Sequence, residues 1–172
     1  MVFACIISSM MLPVAVTLIP TFLMWRTIGI TDSFIPLIVP AWFGGGAFYI
    51  FLLRQFYLGI PKDFDEAAYL DGASHIQIFT KIIVPISKPI FASCAIVCLN
   101  HVWNEFLFAN VFLESKELMT IPIGLMTFKG DLRADYVTML AGIIIASLPM
   151  IILFLCMSKQ FVRGLTAGAV KG

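Results

Sequence analysis

The chain alternates between long stretches with no charged side chain and shorter stretches that concentrate charge. Residues 1–25 hold no Asp, Glu, Lys or Arg, and a short polar break runs from Arg26 to Asp32. Residues 33–53 are again uncharged and end at Arg54. The segment 54–88 carries four basic and four acidic residues, which places it in water. A third apolar run, 89–113, is interrupted by Asn100, His101, Asn104 and Glu105, and a second polar segment covers 114–135. The last run, 136–158, is uncharged and contains Pro149, and a basic, glycine-containing tail follows over 159–172. At ~1.5 Å per residue the first run alone exceeds the ~30 Å hydrocarbon core. The pattern predicts an all-α, polytopic transmembrane helical bundle forming one domain over 1–172, with spans near 2–25, 33–53, 88–113 and 136–160. Pro13 and Pro20 are compatible with a first span, because neighbouring helices can satisfy the freed carbonyls. Gly44, Gly45 and Gly46 lie in the middle of the second, where small residues allow close helix approach or a bend.

Composition narrows the class. Apolar residues make up 60% and charged residues 12% of the chain, with a mean hydropathy of +1.00. Soluble domains carry about 25% charged residues, so this chain could not cover a globular surface with polar groups. A net charge of +1 offers no field for nucleic acid. The first run lacks a basic start and is too long for a signal peptide. Cys5, Cys94, Cys98 and Cys156 all lie in apolar stretches without a CxxC pair, and read as small hydrophobes rather than metal ligands or disulfides. Four spans put both termini on one side. Placing 54–88 and the tail in the cytoplasm puts seven basic residues inside: Arg54, Lys62, Lys81, Lys88, Lys159, Arg163 and Lys171. Arg26, Lys116, Lys129 and Arg133 remain outside, a bias of the expected sign.

The cytoplasmic loop, 60–87, reads as two short helices around a bend. Asp63 or Asp65 can cap the first, Glu66 suits its first turn, and Gly72 suits its C-terminal stop. The second is expected over about Ser74 to Ile83, ended by Pro85. Ala67, Ala68, Gly72 and Ala73 keep the bend free of bulk, so another protein's groove could approach. An amphipathic loop lying on the membrane surface fits the same residues.

Glu66-Ala67-Ala68, three residues, Gly72, nine residues, Ile82, one residue, then Val84-Pro85 resembles the EAA loop of ABC importer permeases. Val84 stands where the family has leucine. Ile60-Pro61, Leu70-Asp71-Gly72-Ala73-Ser74, Trp103-Asn104-Glu105-Phe106-Leu107, Thr120-Ile121-Pro122-Ile123-Gly124-Leu125 and the ending Gly164 to Gly172 are also similar to the carbohydrate, MalG-like type. The resemblance implies a sugar-importing permease subunit of a bacterial cytoplasmic membrane. The loop would dock on a cytoplasmic ATP-binding subunit through Glu66, Ala67, Ala68, Gly72 and Ala73. The implied partners are a second permease, an extracytoplasmic solute-binding protein facing 114–135, the carbohydrate and membrane lipid. ATP and Mg would sit on the ATPase, with no cofactor on this chain. Such permeases have six spans, and the resemblance covers the last four. Two N-terminal helices are therefore expected to be missing, through a misplaced start, a frameshift or a fragment, which leaves a non-functional truncated permease as one alternative.

Asn100 and Asn104 are one helical turn apart, as are His101 and Glu105, so the four are expected on one face of the third span. Polar groups at that depth face a bundle interior or a water-filled cavity. They are candidates for contact with a hydroxylated substrate, and interhelical hydrogen bonding is the structural alternative. Trp103 reads as packing. A secondary transporter or channel without an ATPase is a rival function, against which the EAA-type loop counts. A membrane-embedded enzyme is another, but two separate histidines supply no catalytic set, and the chain has no GxxxxGK[ST] phosphate loop.

Overall fold

The computed structural model describes residues 1–43, 46–129 and 135–167, with side chains as far as Ser158. Helices account for all its regular structure among the described residues. Two compact units divide the chain, Met1–Phe48 with Asn100–Ile152, and Tyr49–Leu99 with Leu153–Gly172.

In the first unit the chain opens with α1 (Val2–Ser9) and α2 (Val14–Ile28), bent 97° to each other. Pro13 causes the break: it is the N-cap of α2, with φ −62° and ψ 135°, and has no N–H to continue α1. The expected first span is thus a broken pair, while Pro20 is absorbed inside α2. Gly29, at φ 80°, ends α2 in the left-handed conformation. Helix α3 (Ile35–Trp42) has Pro36 in its first turn, where a missing N–H costs nothing. Gly44 and Gly45 of the mid-span glycine triplet lie outside the described residues, as do Arg133 and the end of the tail from Gly168. The side chains of Lys159 and Arg163 lie outside them too.

The later part of this unit departs from a straight third span. Helix α8 (Lys88–Trp103) stops at Trp103, and α9 (Leu107–Phe112) starts afresh. A 3-10 turn (Lys116–Leu118) and α10 (Ile121–Thr127) follow. The long α11 (Tyr136–Ala167) keeps Pro149 inside it. Asp135 accepts hydrogen bonds from the Thr138 amide (3.0 Å) and hydroxyl (2.6 Å), which caps α11. The core of the unit is Ala109, Leu113 and Ile123, with Leu37, Phe106, Leu118 and Met119 packed on it. The rings of Phe22 and Phe112 lie 5.7 Å apart.

The second unit holds α4 (Ala47–Gly59) beyond its first residues, α5 (Asp63–Leu70), α6 (His75–Ile78), a π-helical turn (Phe79–Ile83), α7 (Val84–Ile86) and most of α8. Arg54 lies within α4 and does not end it, since an arginine stem tolerates a helical position on the way to water. Phe56, Ile90 and Cys94 form the core, with Tyr49, Leu52, Leu53, Tyr57 and Ile60 against it.

Two helices are long and apolar enough to cross a membrane, Ile35–Gly59 and Tyr136–Ser158. Two bent pairs, Val2–Ser9 with Val14–Ile28 and His75–Ile86 with Lys88–Trp103, bring the number to four if each is one span.

Candidate functional site

The polar loop folds as a helix–turn–helix whose turn is closed by hydrogen bonds. Three carboxylates, Asp63, Asp65 and Glu66, occupy the first turn of α5, where the helix dipole favours them. Neither aspartate is the cap: Lys62 holds that position and makes no side-chain bond. Helix α5 ends at Leu70, and Gly72 takes φ 77°. The Gly72 amide bonds the Tyr69 carbonyl and the Ala73 amide bonds the Ala68 carbonyl, both at 3.0 Å. These are the two bonds of a Schellman motif, which needs a residue free to adopt positive φ. Ser74 then caps α6 through a reciprocal box with Gln77. The Tyr69 hydroxyl hydrogen-bonds the His75 Nδ1 across the turn, with the two rings edge to face.

The second loop helix does not stop before Pro85. It runs on to Ile86, because Pro85 enters at the start of α7 and the preceding turn widens to π geometry. A wider turn relieves the clash of a proline ring with the carbonyl four residues back. The chain then bends 63° at Ser87, whose fully buried hydroxyl donates to the Ile83 carbonyl at 2.6 Å.

Of the loop residues singled out from sequence, Glu66, Ala67 and Gly72 are exposed, Ala73 is half-buried and Ala68 is buried. Ala68 thus supports the helix from within. The bend is not bare of bulk, because Leu70 is 90% exposed and Ile76 is 76% exposed on either side of it. The sequence pattern alone gave no reason to separate these two from core residues.

Asn100, His101, Asn104 and Glu105 line one open cleft of about 410 Å³ with Phe106 and Leu107. They do not form a continuous helical stripe. The Glu105 amide reaches the Val102 carbonyl, a three-residue spacing, and the chain leaves the helix there. The Glu105 carboxylate accepts from the amides of Phe108 (2.9 Å) and Ala109 (2.8 Å), satisfying two orphan donors at the start of α9. Glu105 is therefore a helix cap at the rim of the cleft. The Asn104 side-chain amide donates to the Asn100 backbone carbonyl (2.8 Å) and to Asn100 Oδ1 (3.2 Å). Trp103 donates its indole N–H to the Ala146 carbonyl of α11 at 3.0 Å. That is the packing role its sequence position suggests.

A third feature escaped sequence reasoning. Asp32 takes a positive φ of 49° and accepts from the amides of Glu114 (2.8 Å) and Ser115 (2.9 Å) and from the Ser115 hydroxyl. Its own amide donates to the Phe112 carbonyl at 3.0 Å. These bonds, the Ser115 hydroxyl first, hold its carboxyl below the ordinary value. The Thr-Asp-Ser context signals a local turn, but partners more than eighty residues away leave no trace in local pattern.

Comparison with known proteins identifies the family. The family model described as "Binding-protein-dependent transport system inner membrane component" matches residues 1–166. The chain is 41% identical over 166 residues to the probable ABC transporter permease protein YurM of Bacillus subtilis, covering 96% of this chain and 55% of that protein. It is 36% identical over 171 residues to the arabinooligosaccharides transport system permease protein AraQ of the same organism, covering 99% and 60%. The chain thus spans little more than half the length of these relatives. Among solved structures, a bacterial ABC transporter involved in the import of the acidic polysaccharide alginate matches with a TM-score of 0.67 and 29% identity, over 83% of this chain and 55% of that one. A family match over nearly the whole chain, on an all-helical frame with apolar helices of membrane-crossing length, gives a single conclusion: the chain belongs to the family of binding-protein-dependent transport system inner membrane components.

Proposed function

We propose that this chain is the membrane-spanning permease subunit of an ATP-driven importer that receives carbohydrate from a solute-binding protein. The observation that carries the reading is the Glu66–Ala73 turn. It is closed by a Schellman motif and flanked by the exposed side chains of Leu70 and Ile76. A rigid, small-residue turn with two apolar side chains beside it suits a groove on a cytoplasmic ATP-binding subunit. Closure of the ATPase would be passed on through α6, the π turn and α7, which are joined without a gap. Hydrolysis, ATP and Mg belong to that partner in this reading, and the chain itself is non-catalytic. A second permease completes the bundle in a multi-pass assembly of a bacterial cytoplasmic membrane, and 114–135 faces the binding protein outside. Relatives whose names specify arabinooligosaccharides, melibiose, raffinose and stachyose, or maltodextrin support a carbohydrate cargo.

The test is made in the complete transporter, by co-purification with the ATP-binding subunit and by stimulation of ATPase activity by loaded binding protein. Glu66→Lys reverses an exposed charge, and Gly72→Pro removes the N–H that bonds Tyr69 and cannot adopt φ 77°. Both variants are expected to insert in the membrane at normal yield and to lose stimulation and uptake. Normal stimulation and uptake in both would sink the docking assignment.

A further inference from the structure

The segment that follows α9 forms a short arch on the first unit. Phe112 and Leu113, at the end of α9, are buried, and Leu118 and Met119 return to the core. Between them the 3-10 turn is closed by the Leu118 amide on the Ser115 carbonyl (3.1 Å) and the Met119 amide on the Lys116 carbonyl (3.3 Å). Lys116 and Glu117 stand exposed at its crest. Asp32, from the connection between α2 and α3, holds the first leg. Its Oδ1 accepts from both the Glu114 and the Ser115 amides, at 2.8 and 2.9 Å, and its Oδ2 accepts from the Ser115 hydroxyl. Ser115 is the N-cap of the 3-10 turn yet makes no cap bond with its side chain, because the hydroxyl is turned to Asp32. The long-range bond thus takes precedence over the local one. Among the described residues Asp32 is the one non-glycine at positive φ. Such a backbone persists only where its surroundings over-determine it, and such residues collect at functional sites.

We propose that Asp32 is a positioning residue that fixes the Lys116–Glu117 arch in the posture met by the solute-binding protein; the proposal rests on the importer reading above, which sets 114–135 on the outer side. A positive and a negative side chain next to each other present a directed pair, which selects a partner's orientation rather than its net charge. On a loose loop, two such long side chains and their backbone would have to be ordered at the moment of docking, at a cost in affinity. An arch held at both legs meets that cost in folding instead. Leu118 and Met119 hold the far leg by apolar packing. The Asp32 carboxylate holds the near one through two backbone amides and a hydroxyl. Loosening that leg should therefore weaken docking without altering either charged residue.

The complete transporter is titrated with its own solute-binding protein, saturated with a mixture of arabinooligosaccharides, raffinose and maltodextrin. ATPase activity is read as a half-maximal concentration of binding protein and a maximal rate. Asp32→Gly keeps the positive φ and deletes all three side-chain bonds. Asp32→Asn tolerates the same φ, keeps Oδ1 for both amides and offers the Ser115 hydroxyl a donor. The glycine variant is expected to raise the half-maximal concentration roughly fivefold, and the asparagine variant to stay within about twofold of the unsubstituted protein. Lys116→Ala with Glu117→Ala is expected to shift it in the same direction as the glycine variant. Hydrogen exchange at the Glu114 and Ser115 amides should be fastest in the glycine variant. An unshifted half-maximal concentration in that variant overturns the proposal. So does a fall in maximal rate alone, which would place Asp32 in coupling rather than docking. Should the glycine variant not assemble, Ser115→Ala removes only the hydroxyl bond and is expected to raise the half-maximal concentration about threefold; no shift there overturns the proposal as well. A double alanine variant that is stimulated like the unsubstituted protein also overturns it, while leaving the importer reading intact. Absence of stimulation by binding protein in the unsubstituted transporter would instead overturn that reading, and this proposal with it.

Discussion

Asp32 concentrates several costs at one residue: a positive φ, a carboxylate, and four hydrogen bonds to a segment distant in sequence. Its carboxyl is held below the ordinary value, chiefly by the Ser115 hydroxyl and then by the Ser115 and Glu114 amides. A depressed folded value means the unfolded state binds the proton more readily. The resulting stability is fully present above the unfolded carboxylate value, about 3.9, and is lost as pH falls through the folded one. Asp135 is shifted in the same direction by Thr138, so it adds to the same acid loss. Asn tolerates positive φ, so Asp32→Asn keeps the turn and removes the titration. The purified protein is expected to lose melting temperature as pH falls below about 4, and Asp32→Asn is expected to start lower and lose less. Parallel melting curves across that range would remove Asp32 from the acid response.

At the scale of elements, the apolar runs and the polar loop were readable because membrane depth imposes a coarse, residue-independent pattern. The breaks were less readable, since each depends on where a freed backbone group finds its partner. Pro13 and Pro20 look alike in the sequence, yet one separates α1 from α2 and the other lies inside α2. Pro85 does not end the loop helix, because a π turn makes room for it. Gly72 was legible, since a stop after a short amphipathic helix calls for positive φ. The stripe of polar residues was legible as a cluster but not as a shape. Its members meet in one cleft, while the helix they were expected to share ends at Trp103. Glu105 makes that ending possible by capping α9, which gives a sharp expectation. Glu105→Gln retains one acceptor oxygen for two amides and presents an NH2 to the other. Losing one such bond should cost ~1–2 kcal/mol. Hydrogen exchange at Phe108 and Ala109 should speed up in the variant, with α11 amides unchanged. Equal exchange at all these sites would mean the cap is dispensable.

For the whole molecule, exposure and charge have to be explained together. Leu140, Ile144, Ile145 and Leu155 of α11 are all more than half exposed, and at 3.6 residues per turn they share one broad face of the helix. An exposed apolar face of that width is expected of a helix that meets lipid or other membrane helices. The same helix has no charged residue from Tyr136 to Ser158. If the spans number four, their polar ends divide into two groups, and the basic bias leads us to propose a cytoplasmic side for the loop carrying Glu66. That assignment can be checked at two positions whose placement is known. Glu117 lies in the 3-10 turn Lys116–Leu118, and Glu66 lies exposed in α5. In a variant with Cys5, Cys94, Cys98 and Cys156 replaced, a membrane-impermeant maleimide added to intact cells should label Glu117→Cys and leave Glu66→Cys unlabelled. Permeabilised cells should label both, which shows that the second site is sheltered by the membrane rather than by folding. Labelling of Glu66→Cys in intact cells would invert the orientation. The loop proposed to dock on the ATPase would then lie on the side without ATP, and the ATP-driven reading would fail along with the topology.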